Sequence, residues 1–594
     1  MVNDRMFIPV LVSLLSALAQ SGPLQTIVAI RHDESVQLQK SSLPDSVRAV
    51  KSARRAQETF EFVRRQHLPR ELGVGSHHCD VRIGRWCIWN DETNDRKPPP
   101  ESSHIIQARE KLLAVLDTVG ARFPGDEWVA AQHVRYLIEA KRYGDAVRIA
   151  DRCAGSGSLY LCRAFRAVAL HDSGAIAAAD SAFSTALTAM PDTVRCKWTN
   201  IAVLLEDEAA DRYEHADCAA RRPIEDLFWR LTTPLYLRAN DFRNEYLARI
   251  ARTEMAKNSR TPMGSPRDDA FRETALRYGF DTWFVRDEPP AGSMSEAAVA
   301  GYREGGAGFN FVPASSVFAS PIDLHADDWD LKLRSARTNY APAYARRFRS
   351  LDRQQVAVFR RGDSALVVAT YDIRDDTAFT QRPLEAGLFA AVVDSSRVDD
   401  VHGTTAADAG VQGLLTTTAL WRPALVSVEL LDRESKSAAR ARYVVRPPPA
   451  VGRIGVSDLL MFAPNGADST PRRLADALLL ALHSARVSAS QRLGLFWETY
   501  GLRPQGESLA ISLSVDRIKE GWMRRAAERI HLATPFSPVR VEWQEVPDRG
   551  DHIASRAVSL DLSRLSPGRY EISLKVTPND GPSVVARREV VVDR

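Results

Sequence analysis

Two histidines and two cysteines close to the amino terminus could together bind a metal ion. His77, His78, Cys79 and Cys87 could supply the four nitrogen and sulfur ligands of a tetrahedral zinc site. However, adjacent histidines point in divergent directions along an extended chain, and no second ligand pair with short spacing follows them. We therefore favour a disulfide between Cys79 and Cys87, across a hairpin that turns near residues 83–85, with zinc as the alternative.

The remaining cysteines also favour disulfides. The chain has six cysteines that fall along the sequence as three close pairs, Cys79 and Cys87, Cys153 and Cys162, and Cys196 and Cys218. An even number of closely spaced cysteines is typical of proteins from oxidising compartments, where disulfides form and persist. The sequence leaves the connectivity of the last four open.

The amino-terminal segment predicts export. A short region with Arg5 precedes an apolar stretch from Met6 to Ala19, which ends in the small-residue cleavage pattern of residues 17–19. Because this stretch is too short to cross a bilayer as a stable helix, we interpret residues 1–19 as a cleavable signal peptide. A buried first helix is the alternative. We expect an exported protein of the periplasm or cell surface, without a transmembrane segment after cleavage.

A search for catalytic motifs finds no signature. The sequence has no G-x-S-x-G elbow, no H-E-x-x-H helix, no Walker loop and no G-x-G-x-x-G motif that opens a helix. Residues 323–330, "DLHADDWD", collect oxygen ligands that suit calcium but lack the glycine and terminal glutamate of an EF-hand loop, so we interpret them as a solvated acidic loop. The sequence therefore predicts no catalytic, cofactor-binding or metal-binding residue.

Composition limits the function further. A chain of 594 residues is too long for one core and predicts several domains. Its apolar fraction of 44% and charged fraction of 26% are those of a soluble globular protein. The net charge of +4 comes without long runs of one sign, which argues against a nucleic-acid or membrane-surface binder.

Helical periodicity dominates the first part of the chain. Residues 45–68 predict one helix, with Val47, Ala53 and Phe60 on its apolar face and arginines on the other. Three prolines in residues 94–101 predict a linker, because proline can neither continue a helix nor donate to a ladder.

Residues 104–191 contain two similar segments, 136–153 and 168–187. They align with Ala146 over Ala178 and Ala150 over Ala182, and small residues at such positions let antiparallel helices approach closely. The segments resemble tetratricopeptide repeats. That resemblance implies stacked helical hairpins with a groove that binds a protein or peptide; an ordinary helical bundle is the alternative.

A third feature is the stretch "DLFWRLTTPLYLRANDFRNEYLARI", residues 226–250. It resembles the lead-in of the GWxTD-domain family of bacterial envelope proteins, and "LRYGFDTWF", residues 276–284, keeps Arg277, Tyr278 and Gly279 of the following segment. The Gly-Trp-x-Thr-Asp core itself is absent, so the chain is identified as a divergent relative, and the resemblance implies no established enzymatic activity. From the residues alone we expect structural anchors and a helix cap. The matching residues are Phe228, Trp229, Pro234, Asn240, Arg243, Glu245, Tyr246 and Trp283.

From residue 354 onward the apolar period changes to two. Residues 355–373 predict a hairpin that turns at residues 361–363, and "RPPPAVGR", residues 446–453, predicts a second linker. Near the carboxyl end, Tyr570, Ile572, Leu574 and Val576 alternate on one strand face before a turn at residues 579–581. This end of the chain resembles the last hairpin of an immunoglobulin-like or fibronectin-like sandwich.

Together these patterns predict a multidomain α+β protein with an amino-terminal, tetratricopeptide-like helical region, a central mixed domain and two carboxyl-terminal antiparallel β-sandwiches. We expect an exported, non-catalytic scaffold that binds a protein or peptide through its helical-repeat groove and does not bind nucleic acid. The alternatives are an envelope hydrolase with a site around residues 277–330, or a surface adhesin or carbohydrate-binding protein. The expected divisions are 1–19, signal peptide; 20–100, helix and cysteine hairpin; 101–222, helical repeats; 223–350, GWxTD-like region; 351–446, β-sandwich; and 452–594, immunoglobulin-like β-sandwich.

Overall fold

The computed structural model describes residues 44–72, 79–89, 97–264, 268–288, 298–303, 308–379, 383–464, 470–518, 539–548 and 552–593. The chain divides into two units, Met1–Arg48 and Ala49–Arg594, and the contacts below are those within the second. A helical region, residues 45–278, precedes a β-rich region with several sheets, which confirms the predicted α+β class. None of the helices in the described ranges is both long and apolar enough to cross a membrane.

The helices are concentrated in the first half of the chain and become short after it. They are α1 (Asp45–Gln66), α2 (Ser103–Arg122), α3 (Glu127–Glu139), α4 (Tyr143–Ala154), α5 (Leu159–Asp172), α6 (Ile176–Thr188), α7 (Asp192–Trp198), α8 (Asp207–His215), α9 (Cys218–Thr232), α10 (Asp241–Ala256), α11 (Asp269–Tyr278) and α12 (Leu474–Leu479).

Successive helices from α3 to α6 form two similar hairpins. Lys141 and Gly174, 33 positions apart, both have positive φ, 58° and 82°, at the turn inside each hairpin. The predicted alignment, with an offset of 32, is wrong by one residue. Ala178 is exposed, whereas Ala179 is fully buried like Ala146. The two turn residues with positive φ therefore give the register of the repeats, an offset of 33. An error of one residue matters because each step along a helix turns the side chain by about 100°, which brings a solvent-facing alanine into the aligned position.

Helix α1 confirms the predicted helix but buries a polar face as well as an apolar one. The prediction that its arginines lie on the opposite face is wrong for Arg64, which is 5% exposed. Arg64 forms ion pairs with Glu61 and Glu139, and the Tyr136 hydroxyl donates to Glu61 at 2.7 Å. These partners stabilise a buried cation that periodicity alone would place in solvent.

The strands follow in two series, a few short ones among the helices and the rest after residue 346. They are β1 (Arg70–Leu72), β2 (Val81–Ile83), β3 (Trp86–Ile88), β4 (Trp283–Glu288), β5 (Ala298–Tyr302), β6 (Arg347–Ser350), β7 (Gln354–Arg361), β8 (Ser364–Asp372), β9 (Leu384–Val392), β10 (His402–Ala409), β11 (Gln412–Leu420), β12 (Ala424–Asp432), β13 (Ser437–Val445), β14 (Gly455–Val456), β15 (Leu460–Phe462), β16 (Arg486–Ser488), β17 (Arg492–Tyr500), β18 (Leu509–Arg517), β19 (Val539–Glu545), β20 (Ile553–Asp561), β21 (Gly568–Pro578) and β22 (Val584–Asp593).

The first β-sandwich packs a five-stranded sheet of order β10-β9-β12-β13-β6 on a three-stranded sheet of order β11-β8-β7. Neighbouring strands are antiparallel except β6, which runs parallel to β13. The predicted hairpin is β7 and β8, and its turn contains Gly362 with φ 66°. A positive φ favours glycine at this turn.

The second β-sandwich faces a five-stranded sheet, β16-β22-β21-β18-β19, with the strands that pair with β17, namely β14, β15 and β20. The predicted face of β21 is buried at Tyr570, Ile572, Leu574 and Val576. The Tyr570 hydroxyl donates to the Ser566 carbonyl at 2.6 Å. A tyrosine bonded a few residues upstream is typical of the corner of immunoglobulin-like sandwiches.

A polar joint connects the helical region to the first sandwich. We use this name for Glu429, Arg440 and Arg442 on the sheet together with residues 231–237. Arg442 and Glu429 are fully buried and lie 2.9 Å apart. Arg442 Nη1 donates to the carbonyls of Leu231 and Thr233, and Arg440 Nη1 donates to those of Thr233 and Pro234, at 2.7–3.0 Å.

An apolar joint connects the two sandwiches. We use this name for the buried cluster of Ala357, Phe359 and Val368 from the first sandwich with Leu460, Phe462, Leu474, Ala477, Ala481 and Phe496 from the second. The outer face of β7 and β8 is therefore covered by the second sandwich rather than by solvent.

Candidate functional site

Helix α10 covers the face of the helical hairpins that was expected to bind a partner. It packs against α3 and α5, the first helices of the two hairpins. Gln132 Nε2 donates to the Met255 carbonyl at 2.6 Å, and Tyr246 Oη donates to the Asn200 carbonyl at 2.5 Å. Because the chain's own helix occupies this face, the structure does not support a free groove there.

The lead-in residues act as anchors and as a helix cap. Phe228 and Trp229 are buried and meet edge to face at 4.9 Å, and Trp229 lies 5.4 Å from the ring of Tyr246. Asn240 caps α10: its Oδ1 accepts from the Arg243 amide at 3.1 Å and its Nδ2 donates to the Trp229 carbonyl at 2.8 Å. The expected anchoring and capping roles are confirmed.

Glu245 on α10 is the centre of a half-buried charged cluster. His171 Nε2 and Arg249 Nε lie 2.8 Å and 2.7 Å from its carboxylate oxygens, and Arg252 lies 3.7 Å away. Burial alone would raise the pKa of Glu245, but Arg249, His171 and Arg252 outweigh it and hold the pKa well below its usual range. The carboxylate therefore stays charged and joins α5 to α10.

Arg249 connects this cluster to the second segment of the resemblance. It donates to the carbonyls of Leu276, Arg277 and Asn339 at 2.8–3.1 Å. Gly279 has φ 86°, and a Cβ there would lie 3.3 Å from Arg249 Nε. The residues Arg277-Tyr278-Gly279 therefore pack directly on Glu245 and Arg249, which sequence separation alone does not reveal.

The other residues of that segment have structural contacts. Arg277 Nε donates to the Arg337 carbonyl at 2.7 Å, and Tyr278 Oη donates to the Ala336 carbonyl at 2.9 Å. Trp283 stacks on Tyr302 with ring centroids 4.2 Å apart. Pro234 contributes its carbonyl to Arg440 of the polar joint.

Asp241, beside the cap, is a buried carboxyl of a different kind. It is fully buried, and neither carboxylate oxygen has a hydrogen-bond partner within 3.5 Å among the described residues. Burial raises its pKa to about 7, against the opposing influence of the Tyr340 and Tyr344 hydroxyls that face it. Asp241 therefore holds its proton more tightly than a solvent-exposed aspartate, but it lies inside packed protein and not on a substrate-accessible surface.

An open cleft of about 350 Å³ lies beside the cluster, between α5, α7, α10 and α11. Its floor is formed by side chains such as Leu161, Trp198 and Ile250, and its edge carries Lys197 and Arg272. Sequence analysis missed this cleft because its residues come from four separated segments, and none of them belongs to a local motif.

The six cysteines form three disulfides, Cys79–Cys87, Cys153–Cys162 and Cys196–Cys218. The first confirms the predicted pair, and the other two settle the connectivity that the sequence left open. The first closes the predicted hairpin, in which Gly84 has φ 54° at the turn between β2 and β3. His77 and His78 lie outside the described residues. Cys196–Cys218 fixes α7, which carries Lys197 and Trp198, to the start of α9.

The acidic segment 323–330 is exposed at Asp323, Asp327 and Asp330, as expected of a solvated loop. Asp328 Oδ2 accepts from the His325 amide at 2.6 Å, and Asp323 pairs with Arg446. Within the described ranges, no three His, Cys, Asp or Glu side chains converge as a metal site would require.

Comparisons with known proteins give little further information. No family model matches the sequence, and no curated protein matches it. Matches among solved structures include a β-glucuronidase of Bacteroides uniformis, with 8% identity and a TM-score of 0.14 over 38% of this chain and 26% of that one. They also include red sea bream transglutaminase, with 12% identity and a TM-score of 0.15 over 55% and 43%. The chain thus spans less than half of either protein, and likeness at these TM-scores carries no argument about activity.

Proposed function

We propose that this protein is an exported, non-catalytic scaffold of the bacterial envelope that binds a protein or peptide through its helical region. The observation that carries this proposal is the open cleft between α5, α7, α10 and α11, which is held by a disulfide at α7. In this proposal the two sandwiches present the helical region, and the chain is a divergent relative of the GWxTD-domain envelope proteins.

Export is supported by the three disulfides, which persist in oxidising compartments. The predicted signal peptide, residues 1–19, lies outside the described residues. Intact-mass measurement of protein from the envelope fraction should show that these residues are removed. A mass that includes Met1 would contradict cleavage.

The bonded titratable groups of this region support a structural rather than a catalytic role. Glu245, Arg249 and Arg277 are each bonded to other parts of the fold. A hydrolase site around residues 277–330 would need such groups to face a substrate.

Site-specific cross-linking tests the proposed binding. A photo-reactive side chain is placed at Lys257 on the cleft or at Lys111, an exposed lysine of α2, in the full chain in living cells. We expect a discrete adduct with an envelope protein from at least one position. If ultraviolet light yields only the uncross-linked protein from both, the proposed function is wrong.

A further inference from the structure

The cleft between α5, α7, α10 and α11 has the charge and the floor of a peptide-binding site. Lys197 of α7, Lys257 after α10 and Arg272 of α11 are exposed at its edge. Glu254 is the one acidic group that lines it, and this carboxylate already pairs with Lys257 at 2.5 Å. Across the described residues, neither Lys197 nor Arg272 has an acidic partner within ion-pair distance, so the edge has uncompensated positive charge.

The floor of the cleft is apolar and held in place. Trp198 is 5% exposed, Ile250 is 2% exposed, and both belong to helices packed in the main core. Trp198 lies two residues after Cys196, whose disulfide to Cys218 fixes α7. A rigid floor lowers the conformational entropy lost on binding.

The size of the cleft limits its occupant. Its volume of about 350 Å³ is at the lower end of the range of ligand pockets. It suits an apolar side chain with its flanking residues better than the face of a folded domain. A carboxylate beside that side chain would reach the cations at the edge.

We propose that this cleft binds an acidic peptide segment of a partner protein, with its carboxylates at Lys197 and Arg272. Its apolar side chain contacts the partly exposed Leu161 and Val194, which line the cleft together with the buried Trp198 and Ile250. This inference rests on the proposed function and names the class of partner. Charge complementarity selects a peptide with acidic residues next to a bulky apolar one.

Fluorescence anisotropy with the full-length protein tests the inference. The probe is a short labelled peptide of alternating glutamate and leucine, and its counterpart has glutamine in place of glutamate. We expect the acidic peptide to bind, the glutamine peptide to bind at least about tenfold more weakly, and affinity to fall with added salt. The double variant Lys197→Glu/Arg272→Glu should lose at least about tenfold in affinity, since two attractive pairs become repulsive.

The matched control is Lys51→Glu/Lys111→Glu, which reverses the same number of charges at exposed positions of α1 and α2 and should leave binding unchanged. The milder Lys197→Gln/Arg272→Gln variant should weaken binding in the same direction, and circular dichroism checks that each variant is folded. Equal binding of both peptides, or equal loss in the control, overturns the inference. Full competition by free glutamate also overturns it, since the cleft would then bind a small acid and not a peptide segment.

These results separate the inference from the proposed function. Envelope adducts from Lys111 combined with no binding of the acidic peptide would keep the scaffold role and reject the cleft. Peptide binding at the cleft without any envelope adduct would reject the scaffold role while the cleft remains an acidic-peptide site.

Discussion

The polar joint and the apolar joint differ in the kind of buried contact at their centres. At the polar joint, Arg442 and Glu429 form an ion pair that is fully buried, and the arginine is also bonded to carbonyls of residues 231–237. At the apolar joint, Phe359 and Phe496 lie 6.1 Å apart within a buried cluster of apolar side chains. Beside this cluster, Gln355 bonds with Met461 and Arg361 pairs with Glu498 across the same two sandwiches. The first therefore depends on particular partner atoms, whereas the second depends mainly on the volume that is filled.

This difference predicts how each joint responds to change. A buried charge is tolerated only while every partner remains, since removing one leaves the other unpaired in a medium of low polarity. An apolar contact loses free energy in proportion to the volume and surface removed. The polar joint should therefore fix how the helical region meets the sheet, and the apolar joint should contribute stability that substitutions reduce gradually.

The largest effect is expected from Arg442→Met. This change leaves Glu429 buried without the Arg442 cation, and it removes the donor of the Leu231 carbonyl and one of the two donors of the Thr233 carbonyl. We expect the free energy of unfolding to fall by about 3–5 kcal/mol, measured by urea denaturation followed by circular dichroism.

Two variants show whether the charge causes that loss. Arg472→Met changes an exposed arginine and should shift the free energy of unfolding by no more than about 0.5 kcal/mol. Arg442→Met/Glu429→Met removes both charges and should recover much of the loss. A loss below about 1 kcal/mol in the single variant would contradict the description of the polar joint.

Within the described part of the chain, Asp241 is a buried carboxyl without a cationic partner, whereas Glu429 is paired with Arg442. Such a carboxyl is expected to take up a proton rather than stay charged. Its pKa rises from 3.8 to about 7 on folding because of burial. The folded state thus binds the proton more tightly, so the contribution of this group to stability is present at acid pH and is lost as the pH rises from about 4 to 7. Over this range the free energy of unfolding should fall by about 1.4 kcal/mol per pH unit because of Asp241, and by at most about 4 kcal/mol in all.

Asp241→Asn should remove this slope. Its free energy of unfolding, measured by urea denaturation, should increase relative to the unmodified protein between about pH 4 and pH 7. Glu245→Gln is the control with the opposite sign, because the pKa of Glu245 is held low and its contribution is lost as the pH falls. A pH-independent difference between Asp241→Asn and the unmodified protein would show that Asp241 does not titrate in this range.

A substitution that changes only packing gives a reference against which the electrostatic effects can be compared. Ala179 is fully buried between helices, whereas its neighbour Ala178 is exposed. Ala179→Leu should overpack the contact and lower the free energy of unfolding by about 1–3 kcal/mol, while Ala178→Leu should change it by about 0.5 kcal/mol or less. The melting temperatures of the two variants give this comparison. If Ala178→Leu lowered the melting temperature more than Ala179→Leu, the repeats would align with an offset of 32 and not 33.

Those alanines also show what the sequence can and cannot predict. The hairpin at Gly362, a cap at Asn240 or Asp241 and the Cys79–Cys87 disulfide depend on neighbours in the chain, and these were predicted. The repeat register failed by one residue because several alanines in a row, Ala177 to Ala179, offer no local signal to choose among them.

Strands β12 and β13 explain why the polar joint was not predicted. Alternation predicts one apolar and one solvated face, so Glu429, Arg440 and Arg442 would be assigned to water. Both faces are buried instead, because residues 231–237, about 200 positions earlier in the chain, cover the second one. The candidate cleft was missed for the same reason, since Lys197 and Arg272 meet only after folding.

The smallest effect is expected from Phe359→Leu, and it decides whether the contrast between the joints holds. Phe359 is fully buried against Phe496, and leucine keeps most of its apolar volume, so the free energy of unfolding should fall by less than about 1.5 kcal/mol. Phe359→Ala leaves a cavity and should lower the free energy of unfolding by about 3–5 kcal/mol. Together the two variants would show that the joint needs the apolar volume of Phe359 but not its exact shape. The comparison is with Arg442→Lys at the polar joint, also measured by urea denaturation. Lysine keeps the charge of arginine but not its several donors in fixed geometry, so Arg442→Lys should lower the free energy of unfolding more than Phe359→Leu does. If Phe359→Leu costs as much as Arg442→Lys, both joints depend equally on exact partners, and their difference in composition has no consequence for how they hold the domains.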